Sequence, residues 1–103
     1  MEAIVRLFLS RESDVHDALT PDEAFTDVVA ESDQGERYVA SFFSYKSLEL
    51  LRQRHRKDGD FLDGKYFWAV NMVLIDECTR ESIEQVVKDL IEEGDFDHVF
   101  RKI

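Results

Sequence analysis

Three histidines and several aspartates are the side chains of this sequence that could hold a metal ion. Imidazole nitrogens together with carboxylate oxygens suit a divalent transition metal. No tight ligand spacing such as His-x-x-x-His is present, so the alternative is that these are surface acids and histidines, with the acids paired to nearby basic side chains. A divalent metal is the one cofactor that the sequence suggests. The predicted ligands are Asp14, His16, Asp17 and His98.

A basic run from Arg52 to Lys57 interrupts an acidic chain, which has 13 Lys and Arg against 23 Asp and Glu and a net charge of -10. Its arginines and two later aromatic residues form the predicted binding surface, made of Arg52, Arg54, Arg56, Tyr66 and Trp68. The run ends a predicted helix, where the helix dipole is negative, and the whole chain repels phosphates. A phosphate or nucleic-acid ligand is therefore not expected, and a solvated face with compensated charges is the alternative.

Sequence signatures of common enzyme classes are missing. Gly-x-Ser-x-Gly, Gly-x-Gly-x-x-Gly and P-loop patterns do not occur, and the 4 glycines stand at predicted turns and helix ends. The single cysteine, Cys78, has the acidic neighbours Asp76, Glu77 and Glu81. An unreactive, partly buried thiol is therefore expected rather than a nucleophile. Binding without catalysis is favoured over an enzymatic activity.

The compartment is predicted from what the chain lacks. The start of the sequence, Met1 to Arg6, carries an acid and only a short apolar run, which is not typical of a signal peptide. No uncharged apolar stretch approaches the roughly 20 residues of a membrane span. A lone cysteine suits a reducing compartment. We expect a cytoplasmic protein without a membrane partner.

The apolar pattern predicts seven elements, in the order strand, helix, strand, helix, strand, helix, strand. The first helix rests on Thr20-Pro-Asp-Glu23, which combines a cap, a proline at the first helical position and a capping box. The third helix rests on Thr79 as cap, Gly94 as terminator and apolar residues at helical spacing between them. The predicted elements are residues 3–9, 20–35, 37–43, 44–57, 66–76, 79–94 and 96–103.

This order predicts an α+β fold, the ferredoxin-like split βαβ sandwich, over a single domain of residues 1–103. Its four-stranded antiparallel sheet would have the order 4-1-3-2, with an extra helix, 44–57, between strands 2 and 3. Strands 1, 2 and 3 carry apolar residues on both faces, whereas two helices cover only one face. We therefore expect a homodimer through the sheet, and the alternative is that the extra helix covers the second face.

The charge balance favours a small acidic interaction or regulatory module without catalysis. Such a surface suits a basic protein partner, as in an inhibitor or an immunity-type protein, because complementary charge accelerates association. The alternative is a protein or enzyme that binds a metal or small ligand through the His and Asp cluster at one end of the sheet.

Overall fold

The structure, a computed structural model, describes residues 3–10 and 24–103. Within these residues it is a mixed α+β fold with an open five-stranded sheet and four helices. The elements in chain order are β1 (Ile4–Leu9), β2 (Phe25–Ser32), β3 (Arg37–Ser44), α1 (Tyr45–Asp58), α2 (Asp60–Gly64), β4 (Met72–Ile75), α3 (Arg80–Glu93), α4 (Phe96–Val99) and β5 (Arg101–Lys102).

The sheet has the order β1-β2-β3-β4. The first three strands form an antiparallel meander, and β4 runs parallel to β3 after the crossover through α1. The short β5 pairs antiparallel with the beginning of β3, at Tyr38 and Val39, while β4 pairs with its end, Ser41 to Ser44. The other side of β3 is wholly occupied by β2. Strands β4 and β5 therefore share the remaining edge of β3.

The prediction of a helix across residues 25–32 is wrong, because this segment is β2. Thr26, Val28, Ala30 and Ser32 are buried at every second position, and β-branched side chains pack well on a pleated surface. Gly35, predicted as a helix terminator, lies instead in the β2–β3 turn with φ of 81°. The Ser32 hydroxyl accepts hydrogen bonds from the amides of Gln34 and Glu36 in that turn. Residues 20–23 lie outside the described residues.

The predicted ferredoxin-like order 4-1-3-2 is not found. Since residues 25–32 form a strand, β1 pairs antiparallel with this strand, β2, and not with the third and fourth predicted strands. Two further strands are shorter than predicted. The strand expected at 66–76 is limited to Met72–Ile75, and the residues 96–103 begin with the short helix α4 before β5.

The two longest helices are confirmed with their caps. Ser44 accepts a hydrogen bond from the amide of Ser47 at the start of α1, and Thr79 does the same for Ser82 at the start of α3. Each helix ends at a glycine in the left-handed conformation, Gly59 or Gly94. No helix in the described ranges is long and apolar enough to cross a membrane.

Replacing Thr79 with alanine is expected to lower the free energy of unfolding by about 1 kcal/mol, because the Ser82 amide loses its acceptor. Urea unfolding at constant m-value would measure the change. Thr79→Ser keeps the hydroxyl and should cost much less. Equal losses in the two variants would contradict a role for the cap.

One face of the sheet forms the main core with α3 and α4. The core face is built from alternate residues of β2 and β3, such as Val28 and Phe42, which pack with Ile83 and Val87 of α3. Phe100 lies 6.0 Å from Phe42, measured between ring centroids. The next residue along β3, Phe43, points to the opposite face, where its ring contacts Phe67 at 5.4 Å. Phe67 in turn stacks on His55 of α1, so α1 and α3 lie on opposite sides of the sheet.

Candidate functional site

A groove of about 670 Å³ lies between β1 and α3. Its apolar lining is provided by Ile4 and Leu7 from the strand and by Val87 and Ile91 from the helix. The charged residues along it alternate in sign on α3, in the order Arg80, Glu84, Lys88 and Glu92, with Arg6 on the strand side. The groove therefore combines an apolar floor with charged walls.

β1 is an edge strand, because it pairs with β2 on one side only. Among the described residues no strand lies along its other side. An edge of this kind presents backbone N–H and C=O groups that can pair with a further strand. One of them is already engaged, since Arg80 Nη2 donates a hydrogen bond to the Leu7 carbonyl at 2.9 Å. The guanidinium also lies 3.4 Å from Glu84 in a partly exposed pair, and both residues line the groove.

The helix that lines this groove belongs to an acidic stretch of the chain. Residues 76–97 contain nine Asp or Glu and only two Lys or Arg. Residues 46–65, on the opposite side of the sheet, contain six Lys or Arg and four acids. Glu81, Asp89 and Glu92 are exposed on α3. The negative potential that a basic partner would meet therefore lies on the α3 side.

The groove was missed by the sequence analysis because the order 4-1-3-2 places β1 inside the sheet. An interior strand has no free edge to offer a partner. The apolar or β-branched residues at alternate positions, Thr26, Val28 and Ala30, were the sequence signal that could have found it, since a strand there pairs with β1 and leaves β1 at the edge of the described sheet.

The predicted binding surface is only partly brought together. Arg52, Arg56 and Tyr66 line one cleft of about 550 Å³ against α1. Arg54 and Trp68 do not line this cleft, and Trp68 is 62% exposed. His55, which is buried, also lines this cleft, and the sequence did not predict it as a binding residue.

The predicted metal site falls largely outside the described residues, because Asp14, His16 and Asp17 lie in the range 11–23. The remaining ligand, His98, is exposed on α4, where its Nδ1 is 3.9 Å from Asp95 Oδ1. In the part of the chain that the structure describes, no three His, Cys, Asp or Glu residues are grouped as metal ligands would be. The sheet order that brought the predicted ligands together is also not observed. The metal site stays a prediction.

The second face of the sheet is more polar than predicted. β2 contributes Asp27 and Glu31 to it, which were assigned to a helix in the sequence analysis. Arg37 lies over the Phe8 ring at 5.5 Å and pairs with Glu31 at 3.0 Å. The Ser41 hydroxyl donates to Asp27 at 2.8 Å. Charged side chains therefore cover part of this face, and dimerisation through it stays a prediction.

Cys78 is buried, as expected, with 4% of its surface exposed. Its Sγ donates to the backbone carbonyl of Ala24 at 3.4 Å. The thiol thus belongs to the core beside α3 and not to the groove or the cleft.

Comparisons with known protein families, with curated proteins and with solved structures found no match.

Proposed function

We propose that this protein is an interaction module without catalysis that binds an extended, basic segment of a partner protein at the edge of β1. The observation that carries the proposal is the groove between β1 and α3, which puts an unpaired strand edge beside an apolar floor. The cytoplasm is the proposed compartment, in keeping with the single buried thiol.

The partner segment would extend the sheet as an added strand. Its backbone would pair with the free edge of β1, and every second side chain would enter the floor formed by Ile4, Leu7 and Ile91. Backbone pairing supplies affinity for an extended segment, and the alternate side chains in the floor supply selectivity. The arrangement favours small apolar residues at these alternate positions.

The charge of the surface around α3 favours a positively charged partner. The groove's own charges nearly cancel, but the outer surface of α3 is acidic, and Lys or Arg side chains of the added strand would reach Glu81, Glu84 and Glu92. Long-range attraction by this surface raises the association rate at low salt and falls as salt is added. An acidic segment would be repelled by the same surface.

Binding of a labelled ten-residue peptide of alternating Lys and Val tests the proposal, with a peptide of alternating Glu and Val as control. Backbone amide shifts in ¹H–¹⁵N spectra should change along β1 and α3 for the Lys peptide only. Reversing two charges at the rim of the groove, Glu84→Lys with Glu92→Lys, should weaken binding about tenfold or more, because charges at the rim of an interface control the association rate. Asp33→Lys, an exposed acid in the β2–β3 turn, is the matched control and should have little effect.

Three outcomes would contradict the proposal. Shifts confined to α1 or β5 would place the binding elsewhere, and equal affinity for the Glu peptide would remove the charge argument. Light scattering that gives twice the mass of one chain, with β1 amides that shift as protein concentration rises, would assign the edge to a second copy.

A further inference from the structure

A second cleft, on the other side of the sheet from α3, has the composition of an anion site. It lies where the side of α1 meets the segment 61–67 that follows it, and its volume of about 550 Å³ is ample for a small organic ligand. The groups around it are of three kinds, which are cations, aromatic rings and one carboxylate. They are Arg52, Arg56, Lys65, His55, Tyr66, Phe67 and Asp63, above the apolar Leu48 and Met72.

His55 is the buried polar group of this cleft. It is 7% exposed, and its Nδ1 has no hydrogen-bond partner among the described residues. The imidazole packs against Phe61 at 4.7 Å and against Phe67 at 5.9 Å, as measured between ring centroids. A buried polar atom without a partner is costly, and such atoms are uncommon in folded proteins. Because this atom is itself buried, His55 belongs to the packed wall of the cleft and does not by itself indicate a ligand.

The cations at the cleft are only partly neutralised by nearby carboxylates. Arg52 pairs with Glu49 at 3.4 Å, with both side chains about half exposed, a geometry of little strength. Within the described ranges neither Arg56 nor Lys65 has an ion pair. Two guanidinium groups one helical turn apart, with an ammonium across the cleft, match the three acceptor oxygens of a phosphate monoester.

The helix dipole opposes an anion at the end of α1, and two cleft residues, His55 and Arg56, lie in the last turn of that helix. Arg52, Arg56 and Lys65 all line the cleft, and their three full positive charges exceed the roughly half negative charge of a helix terminus together with the Asp63 carboxylate. The sequence disfavoured a phosphate on two grounds, the position of the arginines at a helix end and the net charge of -10. The grouping of three cations at one cleft is what the sequence did not show.

The walls of the cleft select for a ring. Tyr66 is 51% exposed and lines the cleft, so its ring offers a face on which a planar ring can stack. Phe67, which is packed against His55, Phe43 and Phe61, supports this wall from behind. The Asp63 carboxylate is repulsive to a second anionic group but accepts hydrogen bonds from hydroxyl groups. A ligand with a phosphate at one end, a planar ring at the other and hydroxyl groups between them uses all three features.

We propose that this cleft binds a nucleoside monophosphate, with the phosphate held by Arg52, Arg56 and Lys65, the base stacked on Tyr66, and the ribose hydroxyls donating to Asp63. The site is a binding site and uses no glycine-rich phosphate loop. It is independent of the β1 groove, because α1 and α3 lie on opposite sides of the sheet.

Isothermal titration of the full chain with AMP tests the proposal, with UMP, phenyl phosphate, inorganic phosphate and adenosine as further probes. AMP should bind at least about tenfold more tightly than inorganic phosphate or adenosine, since each lacks one of the two anchoring groups. Arg52→Gln and Arg56→Gln should each weaken AMP binding about tenfold or more, the loss expected for a hydrogen bond to a charged group. Tyr66→Ala should weaken AMP and phenyl phosphate but leave inorganic phosphate unchanged.

The matched control is Arg54→Gln, which removes the same charge from the same helix outside the cleft, and AMP affinity should be retained. Circular dichroism of each variant verifies the fold. Absence of AMP and UMP binding at millimolar concentration would overturn the proposal, as would equal losses in Arg54→Gln and Arg56→Gln. Equal affinity for AMP and inorganic phosphate would overturn the role of the ring.

Discussion

Replacing Phe42 with alanine is expected to lower the free energy of unfolding by about 3–5 kcal/mol. Phe42 is completely buried in β3, contacts Phe100 across the core, and is among the largest fully buried side chains of the described residues. The loss combines the transfer free energy of the ring with the cavity left behind, because close-packed neighbours relax only in part. For a domain of this size such a loss is a large fraction of the total stability. Urea unfolding followed by circular dichroism would measure it.

Phe25→Ala is the control for this prediction, because it makes the same chemical change on the neighbouring strand. Phe25 is 48% exposed and lies on the second face of the sheet, where its ring stacks on Phe43 at 5.4 Å. Its loss should cost no more than about 1.5 kcal/mol. If the two variants were equally destabilised, the core would not lie on the Phe42 face.

Replacing Gly64 with alanine is expected to cost about 2–4 kcal/mol for two separable reasons. Gly64 has φ of 78°, a left-handed conformation that residues with a Cβ adopt at a cost. The added Cβ would also lie 2.7 Å from the backbone oxygen of Arg52 and 3.2 Å from Cγ of Arg56. The backbone oxygen belongs to α1 and cannot move without shifting the helix. Gly64 therefore lies so close to α1 that there is no room for a side chain at this position.

Gly94→Ala separates the two reasons. Gly94 has the same φ of 78°, but a Cβ there would meet no atom within 4 Å. It should cost only the left-handed penalty, about 1–2 kcal/mol, partly offset by the lower entropy of the unfolded chain. Chemical unfolding of both variants gives the difference directly. Similar losses at Gly64 and Gly94 would mean that the α1 contact is not tight.

The two longest helices, α1 and α3, could be predicted from local signals. Thr79 and Gly94 bound α3 as expected, and Ser44 starts α1 as expected. Each signal acts over one turn of chain, since a hydroxyl caps an amide three residues later and a glycine adopts the conformation that ends a helix. Such features are specified by neighbouring residues, so they can be recognised in the sequence.

The sheet could not be predicted in the same way, because Phe25–Ser32 carries two patterns at once. Phe25, Val28 and Val29 fit one face of a helix, whereas Thr26, Val28 and Ala30 fit one face of a strand. The strong helix-start signature at residues 20–23 favoured the first. Burial against β1 and β3 selects the second, and that contact depends on the tertiary structure.

The α1 cleft depends on a feature with no local signature. Phe61, Leu62 and Asp63 within α2 all have positive φ, between 52° and 57°, although none is a glycine or an asparagine. Three such residues in succession are unfavourable in an isolated chain. Packing of Phe61 against His55 and Phe67 holds them in place, so only the folded structure shows that the basic run faces Lys65 and the aromatic residues.

The shared edge of β3 has a consequence for the order in which the protein is made. β3 is complete at residue 44, and β4 adds a partner to its second half about 30 residues later, but Tyr38 and Val39 receive theirs only from Arg101 and Lys102. On the ribosome, half of this edge stays open until nearly 60 further residues have been synthesised. An open strand edge invites pairing with other chains. β5, the shortest strand of the sheet, thus closes the edge of β3 and ends the period in which the nascent chain exposes that edge to misassembly.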